Sequence, residues 1–261
     1  MEVVVRPGVD EVARLAADAV EELVRSRPTA VLGVATGSSP LPVYDELARR
    51  HRAGTGPSYD GVRVFLLDEY VGLPAGHPES YRSVIDRELV ARLDLRSEQV
   101  HAPDPDPDRL PGAGERYEAA IAEAGGVDLQ LLGIGSDGHL AFNEPGSSLA
   151  SRTRLKTLTA RTRADNARFF ASVDEVPHHV LTQGLGTILD ARHLVLVATG
   201  ASKAPAVARA VEGPVAASCP ASVLQLHPHV TVLLDEAAAA QLENLDHYRE
   251  VYEAKPSWQR L

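Results

Sequence analysis

Apolar positions along the chain switch repeatedly between two spacings. Asp10 to Arg25 carries Val12, Leu15, Val20 and Leu23 at helical intervals, and Val31 to Thr36 follows as a short apolar run of the kind that fills a buried strand. Pro40 to Arg50 returns to helical spacing, with Pro40 suited to a first turn, before Val62 to Leu67 reads as the next strand. Further on, Ser80 to Leu93 and Glu115 to Ala124 predict helices. Met1 to Arg6, Val127 to Leu132, Leu194 to Ala198 and Val230 to Leu234 predict strands. This alternation predicts an α/β protein: a mostly parallel sheet in a three-layer αβα arrangement, with residues 1–261 forming one domain. The prolines between His101 and Asp108 mark an exposed connection, and the polar, basic stretch from Ser147 to Pro177, with little strand signal, reads as an excursion or lid.

In open parallel sheets ligands bind beyond the carboxyl ends of the strands, so the residues just after each strand carry the first chemical information. Four such ends are suggestive: Ala35-Thr-Gly-Ser-Ser39, Asp68-Glu-Tyr70, Gly133-Ile-Gly-Ser-Asp-Gly-His139 and Ala198-Thr-Gly-Ala-Ser-Lys203. In the two Ala-Thr-Gly turns, glycine lets the backbone approach a ligand and the following helix start offers free N–H groups. Taken singly, either turn is explained by Ser and Thr capping a helix. Taken together, with Gly37, Ser38, Ser39 and the charge of Lys203, they predict a phosphate site.

Gly133 to Gly138 satisfies G-x-G-x-x-G after a strand, half of a dinucleotide fingerprint. The other half is missing, because Pro145 soon follows and Arg152, Arg154 and Lys156 stand where an acidic ribose contact belongs. The same turn suits proton chemistry instead. Asp137 and His139 are two apart, so in an extended loop the carboxylate can orient the imidazole, and Glu144 adds to that field. Asp68, at the end of an apolar strand, is either a solvated turn residue or a carboxylate whose pKa burial raises into the range of a general base. Quiet packing is the competing account of His139.

Charge and composition narrow the partners. With 36 acidic against 26 basic residues and a formal charge of −10, nucleic acid is not expected as the main partner, whereas a small anion held by local lysines and arginines is. The single cysteine, Cys219, precludes an internal disulfide and points to a reducing, cytoplasmic setting. Neither a signal peptide nor a membrane span is expected. His178-His179 and His227-Pro-His229 lack a third ligand nearby, so no metal is expected.

Several runs together resemble the glucosamine-6-phosphate deaminase family, in order from about residue 1 to 240. They are Ala35 to Pro40, Leu67 to Pro74 with His77 to Tyr81, Gly133 to Pro145, Ser148 to Thr157 and Leu224 to Pro228. The resemblance implies a modified Rossmann-like fold and conversion of glucosamine 6-phosphate to fructose 6-phosphate and ammonia, with no metal, nucleotide or other cofactor. It assigns ring opening to His139, tuned by Asp137 and Glu144, and proton transfer between C2 and C1 to Asp68. Phosphate falls to Gly37, Ser38, Ser39, Arg168 and Lys203. Hexameric members bind N-acetylglucosamine 6-phosphate as an activator between subunits through a pattern like Ser147, Arg154, Lys156 and Thr157, while other branches are unregulated. The tail from Lys255 to Leu261 does not resemble the regulated branch.

Two other functions remain open at this point. A 6-phosphogluconolactonase shares the fold and a similar ligand, although Asp68 to Pro74 and Phe142 to Glu144 resemble the deaminase more closely. A sugar-phosphate sensor would need an output module and would have no use for two proton carriers.

Overall fold

The computed structural model describes residues 1–256, 258, 259 and 261; Ser257 and Arg260, in the tail compared above, lie outside the described residues. Among the described residues ten strands form: β1 (Glu2–Arg6), β2 (Val31–Val34), β3 (Arg63–Leu66), β4 (Asp68–Tyr70), β5 (Val100–His101), β6 (Leu129–Leu132), β7 (Arg154–Thr157), β8 (His179–Thr182), β9 (His193–Ala198) and β10 (Val230–Asp235). Seven of them make a wholly parallel sheet in the order β1-β10-β9-β6-β2-β3-β5. The strands β9 and β10 are buried along their whole length, as strands covered on both faces by helices must be. Alternate side chains feed two cores. Val31, Phe65, Leu132, Leu194 and Val232 face one, and Leu32, Val64, Leu131, Val195 and Leu233 the other. The three-layer parallel α/β expectation therefore holds.

From β2 the chain steps outward through β3 to β5; from β6 it steps the opposite way through β9 to β10. The winding reverses between β2 and β6, which opens a crevice at their carboxyl ends. The four suggestive turns leave β9, β6, β2 and β3, four consecutive strands at the centre of the sheet. Topology alone thus gathers them.

The structure departs from the sequence pattern in three places. The run read as one strand to Leu67 divides after Leu66, and Asp68–Tyr70 turns away to open a second, antiparallel sheet in the order β4-β8-β7, with Asp68 opposite Thr182. Asp68 is consequently a buried strand residue rather than a turn residue. The stretch from Ser147 to Pro177 contains β7, whose alternating half-buried and exposed positions carry too few apolar residues to announce a strand. The helix expected from Ser80 to Leu93 is α-helical only over Tyr81–Glu88, because Leu89 leaves helical geometry and Val90–Arg92 tightens to a 3-10 turn. Among the described residues, no helix is long and apolar enough to cross a membrane.

Candidate active site

A cavity of about 910 Å³ occupies the crevice. It is lined by Gly37, Ser38 and Ser39 after β2, Asp68 on β4, Asp137, His139 and Glu144 after β6, Arg168 from the Ser147–Pro177 stretch, and Lys203 after β9. All nine residues expected from the sequence to act on a sugar or its phosphate share this one space.

Asp68 is 6 % exposed, and burial, reinforced by the neighbouring Glu69, pushes its carboxyl well above the ordinary carboxylate range. Glu69 points the other way. Its carboxylate accepts N–H bonds from Tyr70 (2.8 Å), Tyr81 (2.9 Å) and Arg82 (2.8 Å), and so it caps the helix Tyr81–Glu88 together with the Ser80 hydroxyl. Burial also raises Glu69, with those three donors working against it. Adjacent carboxylates therefore divide their work, one closing a helix and the other facing the cavity.

The glycines of the Gly133–Gly138 turn make room for side chains rather than for a nucleotide. A Cβ on Gly135 would stand 2.1 Å from Cε1 of His139, so the imidazole lies directly over this residue. One on Gly138, at φ +92°, would stand 2.6 Å from the Cys219 sulfur beneath the loop. His139 Nδ1 lies 2.7 Å from Asp137 Oδ1, in a bent approach, and the His139 backbone N–H donates to the same oxygen at 3.1 Å. These contacts hold the Asp137 carboxyl down to about 2, the close approach of the imidazole being the largest cause. With Nδ1 occupied by Asp137, Nε2 is the nitrogen left to serve a ligand. Ala141, two residues on, has φ +52° and is the one non-glycine with positive φ among the described residues.

Glu144 lines the same cavity and is also tied to the excursion. Its Oε1 accepts from the hydroxyls of Thr159 (3.1 Å) and Thr162, at the start of the helix Ala160–Asn166, and it makes no ion pair with His139. It ties the excursion to the His139 loop.

Two cations line the cavity within electrostatic reach of one another. Lys203 Nζ donates to the Ile134 carbonyl at 2.7 Å, and burial together with the charge of Arg168 lowers its pKa. The Arg168 guanidinium rests 4.7 Å above the Phe169 ring. Neither forms a salt bridge with a carboxylate among the described residues, and the hydroxyls of Ser38 and Ser39, in the same lining, take no protein partner there either. Positive charge without an ion-pair partner, beside free donors in a cleft, suits a dianion.

The remaining expected residues are dispersed. Ser147 is buried, with its hydroxyl unpartnered. Arg154 and Lys156 share one face of β7, and Thr157 lies on the opposite, exposed face with Leu155. None of the four lines the cavity. His227 is absorbed structurally, between the carbonyls of Ala191 (2.8 Å) and His229 (2.9 Å), while the His193 and His229 rings stack 3.7 Å apart. Among the described residues, no cluster of three or more His, Cys, Asp and Glu is arranged to hold a metal.

Sequence reasoning missed the supports of the site. Tyr70, Tyr81 and Phe142 form a small aromatic core under it, onto which Phe170 packs edge-on against Tyr70 at 5.8 Å. Thr159 could have been found as a helix cap spaced three residues from Thr162. No local signal announces Thr182 or Gln183, buried polar residues that lie with Asn143 between Asp68 and the His139 loop.

Known proteins share this sequence and fold. Residues 8–233 match the family described as glucosamine-6-phosphate isomerases/6-phosphogluconolactonase. The chain is 64% identical over 261 residues to the glucosamine-6-phosphate deaminase of Arthrobacter sp. (strain FB24), covering all of both chains. It is 62% identical over 262 residues to that of Mycolicibacterium smegmatis, again covering all of both. A solved monomeric glucosamine-6-phosphate deaminase superposes with a TM-score of 0.89 at 39% identity, over 92% of this chain and 100% of that one. A 6-phosphogluconolactonase from Trypanosoma cruzi, with a TM-score of 0.73 at 22% identity over 93% of this chain and 97% of that one, shares the fold. By sequence and by fold alike, the chain belongs to the glucosamine-6-phosphate isomerase/6-phosphogluconolactonase family.

Proposed function

We propose that the chain is an enzyme that converts glucosamine 6-phosphate to fructose 6-phosphate and ammonia, in the catabolism of amino sugars. The observation that carries this reading is the joint presence, in one cavity, of a buried carboxylate, a carboxylate-oriented imidazole and two cations without carboxylate partners. The full-length likeness to deaminases supports it.

The phosphate is held by Lys203, Arg168, the hydroxyls of Ser38 and Ser39, and the backbone around Gly37, which leaves the sugar across the mouths of β6 and β3. His139, through Nε2, moves a proton between the anomeric hydroxyl and the ring oxygen, and the ring opens to the aldehyde. Asp137 stabilises the imidazolium formed on the way. Asp68 then removes the proton from C2, giving an enolamine, and returns it to C1. The product is a ketimine, which water hydrolyses to the ketose and ammonia. Burial gives Asp68 the basicity for carbon acids, whereas His139 serves oxygen; the two carriers are tuned apart by their surroundings. Glu144 supports the loop by holding the excursion against it. The excursion within 147–177 acts as a lid on a single domain, and Arg168 lets the phosphate draw it closed.

We infer a cytoplasmic location, supported by the lone Cys219 and by a phosphorylated substrate that does not cross membranes unaided. We infer also that Ser147, Arg154, Lys156 and Thr157 take N-acetylglucosamine 6-phosphate only when a second copy completes the site, as in a hexamer. What supports this is that Arg154 and Lys156 lie half-buried on an edge strand with no carboxylate partner among the described residues.

The test is a coupled assay. Ammonia from glucosamine 6-phosphate supports the reading; free acid from 6-phosphogluconolactone, without ammonia, would replace it with the lactonase, and binding without turnover would replace it with a sensor.

A further inference from the structure

Asp68 and His139 come from different strands and belong to different sheets and loops, so something must set the distance between them. The contacts at the end of β8 do this. Thr182 pairs with Asp68 across the small sheet, and its Oγ1 accepts the N–H of Phe142 at 3.2 Å. Next to it, the Gln183 backbone N–H donates to the Leu67 carbonyl at 2.7 Å, and the Gln183 side-chain amide donates to the Leu66 carbonyl at 3.0 Å. The Gln183 carbonyl receives the side-chain amide of Asn143 at 2.8 Å, and that same amide donates to the carbonyl of Leu140, the residue after His139, at 3.0 Å. An unbroken chain of hydrogen bonds thus runs from the backbone just before Asp68, through Gln183 and Asn143, to the backbone just after His139. Thr182, Gln183 and Asn143 are at most 1 % exposed, so water does not compete for these bonds.

We infer that Thr182 and Gln183 are positioning residues of the reaction, fixing the carbon base relative to the oxygen acid–base group without touching the sugar. The inference rests on the deaminase reading above. Its physical basis is that near-attack geometry is sensitive to displacements of about 1 Å, which can cost on the order of 100-fold in rate. The phosphate contacts hang from β2, β9 and the lid, not from β8. Loosening this bridge should therefore lower turnover while leaving the grip on the phosphate in place.

Ammonia-release kinetics at 25 °C on Gln183→Leu and Gln183→Glu, with the wild-type chain alongside, test this. Gln183→Leu is expected to lose about 10- to 100-fold in kcat, with KM for glucosamine 6-phosphate within about threefold of wild type. Gln183→Glu supplies a conservative rescue. Buried, its carboxyl is held protonated and donates to the Leu66 carbonyl as the amide does; ionised, it faces that carbonyl and repels it. The ratio of its kcat to that of wild type should accordingly fall as pH rises. A merely structural residue would lower the melting temperature, leave kcat intact in the folded protein and give a ratio independent of pH; that result overturns the inference. Should Gln183→Leu fail to fold, Thr182→Val and Thr182→Ser decide the matter, since loss of kcat in the first and recovery in the second is expected and equal kcat in both overturns it. A wild-type chain that releases no ammonia would remove the deaminase reading and this inference with it, whereas an active wild type beside a fully active Gln183→Leu would remove this inference alone.

Discussion

Asp68 and Gly135 show how much of this site is decided one side chain at a time. Because burial raises the Asp68 carboxyl, the folded chain keeps its proton over a pH range in which the unfolded chain has already lost it. The contribution of Asp68 to stability is then fully present below about pH 4, the unfolded value, and is lost as pH rises through the raised folded value. Asp68→Asn removes that penalty. The variant is expected to turn over no sugar and yet to melt at a higher temperature than wild type at pH 8; a lower melting temperature would contradict the assigned state of the carboxyl. Asp137 has the opposite sign, since its folded value of about 2 adds stability that is present above the unfolded value near 4 and lost as pH falls through about 2. Gly135→Ala places a methyl where the His139 ring lies, and should cost roughly 100-fold in kcat with the circular dichroism of the wild type retained. Normal activity in this variant would mean that the imidazole works from another position. The type and spacing of Asp137 and His139 were legible in the sequence. That Gly135, just ahead of them, makes room for the imidazole was not, because the letters G-x-G-x-x-G do not say what approaches them.

Among the elements, the central strands announced themselves and the small sheet did not. The strands β9 and β10 are continuous apolar runs because they are buried on both faces, which leaves a strong mark in the sequence. The strand β7 is half exposed, four residues long and half basic, so its identity depends on pairing with β8, a contact between distant parts of the chain. The sequence expects Glu144 to add to the field at His139; in the fold it lines the same cavity, while its carboxylate also accepts from the start of the helix Ala160–Asn166. Thr162→Val removes one of the two hydroxyls that Glu144 accepts from. Losing a hydrogen bond worth about 1 kcal/mol should speed amide exchange across residues 159–170 by roughly fivefold, with the central sheet unaffected. Unchanged exchange would mean that the aromatic contacts of Phe170 alone hold the segment.

At the scale of the whole molecule, the order of strands did more than any motif. It placed four chemically marked turns side by side, and the sequence could supply the turns but not their adjacency, which depends on where the winding reverses. Assembly is the property to measure at this scale. If a second copy completes the Arg154 and Lys156 surface, light scattering should find an oligomer, and N-acetylglucosamine 6-phosphate should raise ammonia release at low substrate. A monomer indifferent to that compound would assign both side chains to solvent. A last consequence follows from Leu67, the single residue joining β3 to β4. Through it the small sheet is suspended from the large one by the very strand that carries Asp68, so a rocking of one sheet against the other would drag the base off its carbon. Closing motions have to be confined to the helical stretch beyond β7, and chain-length variation among relatives should accumulate there while the joint at Leu67 keeps its length.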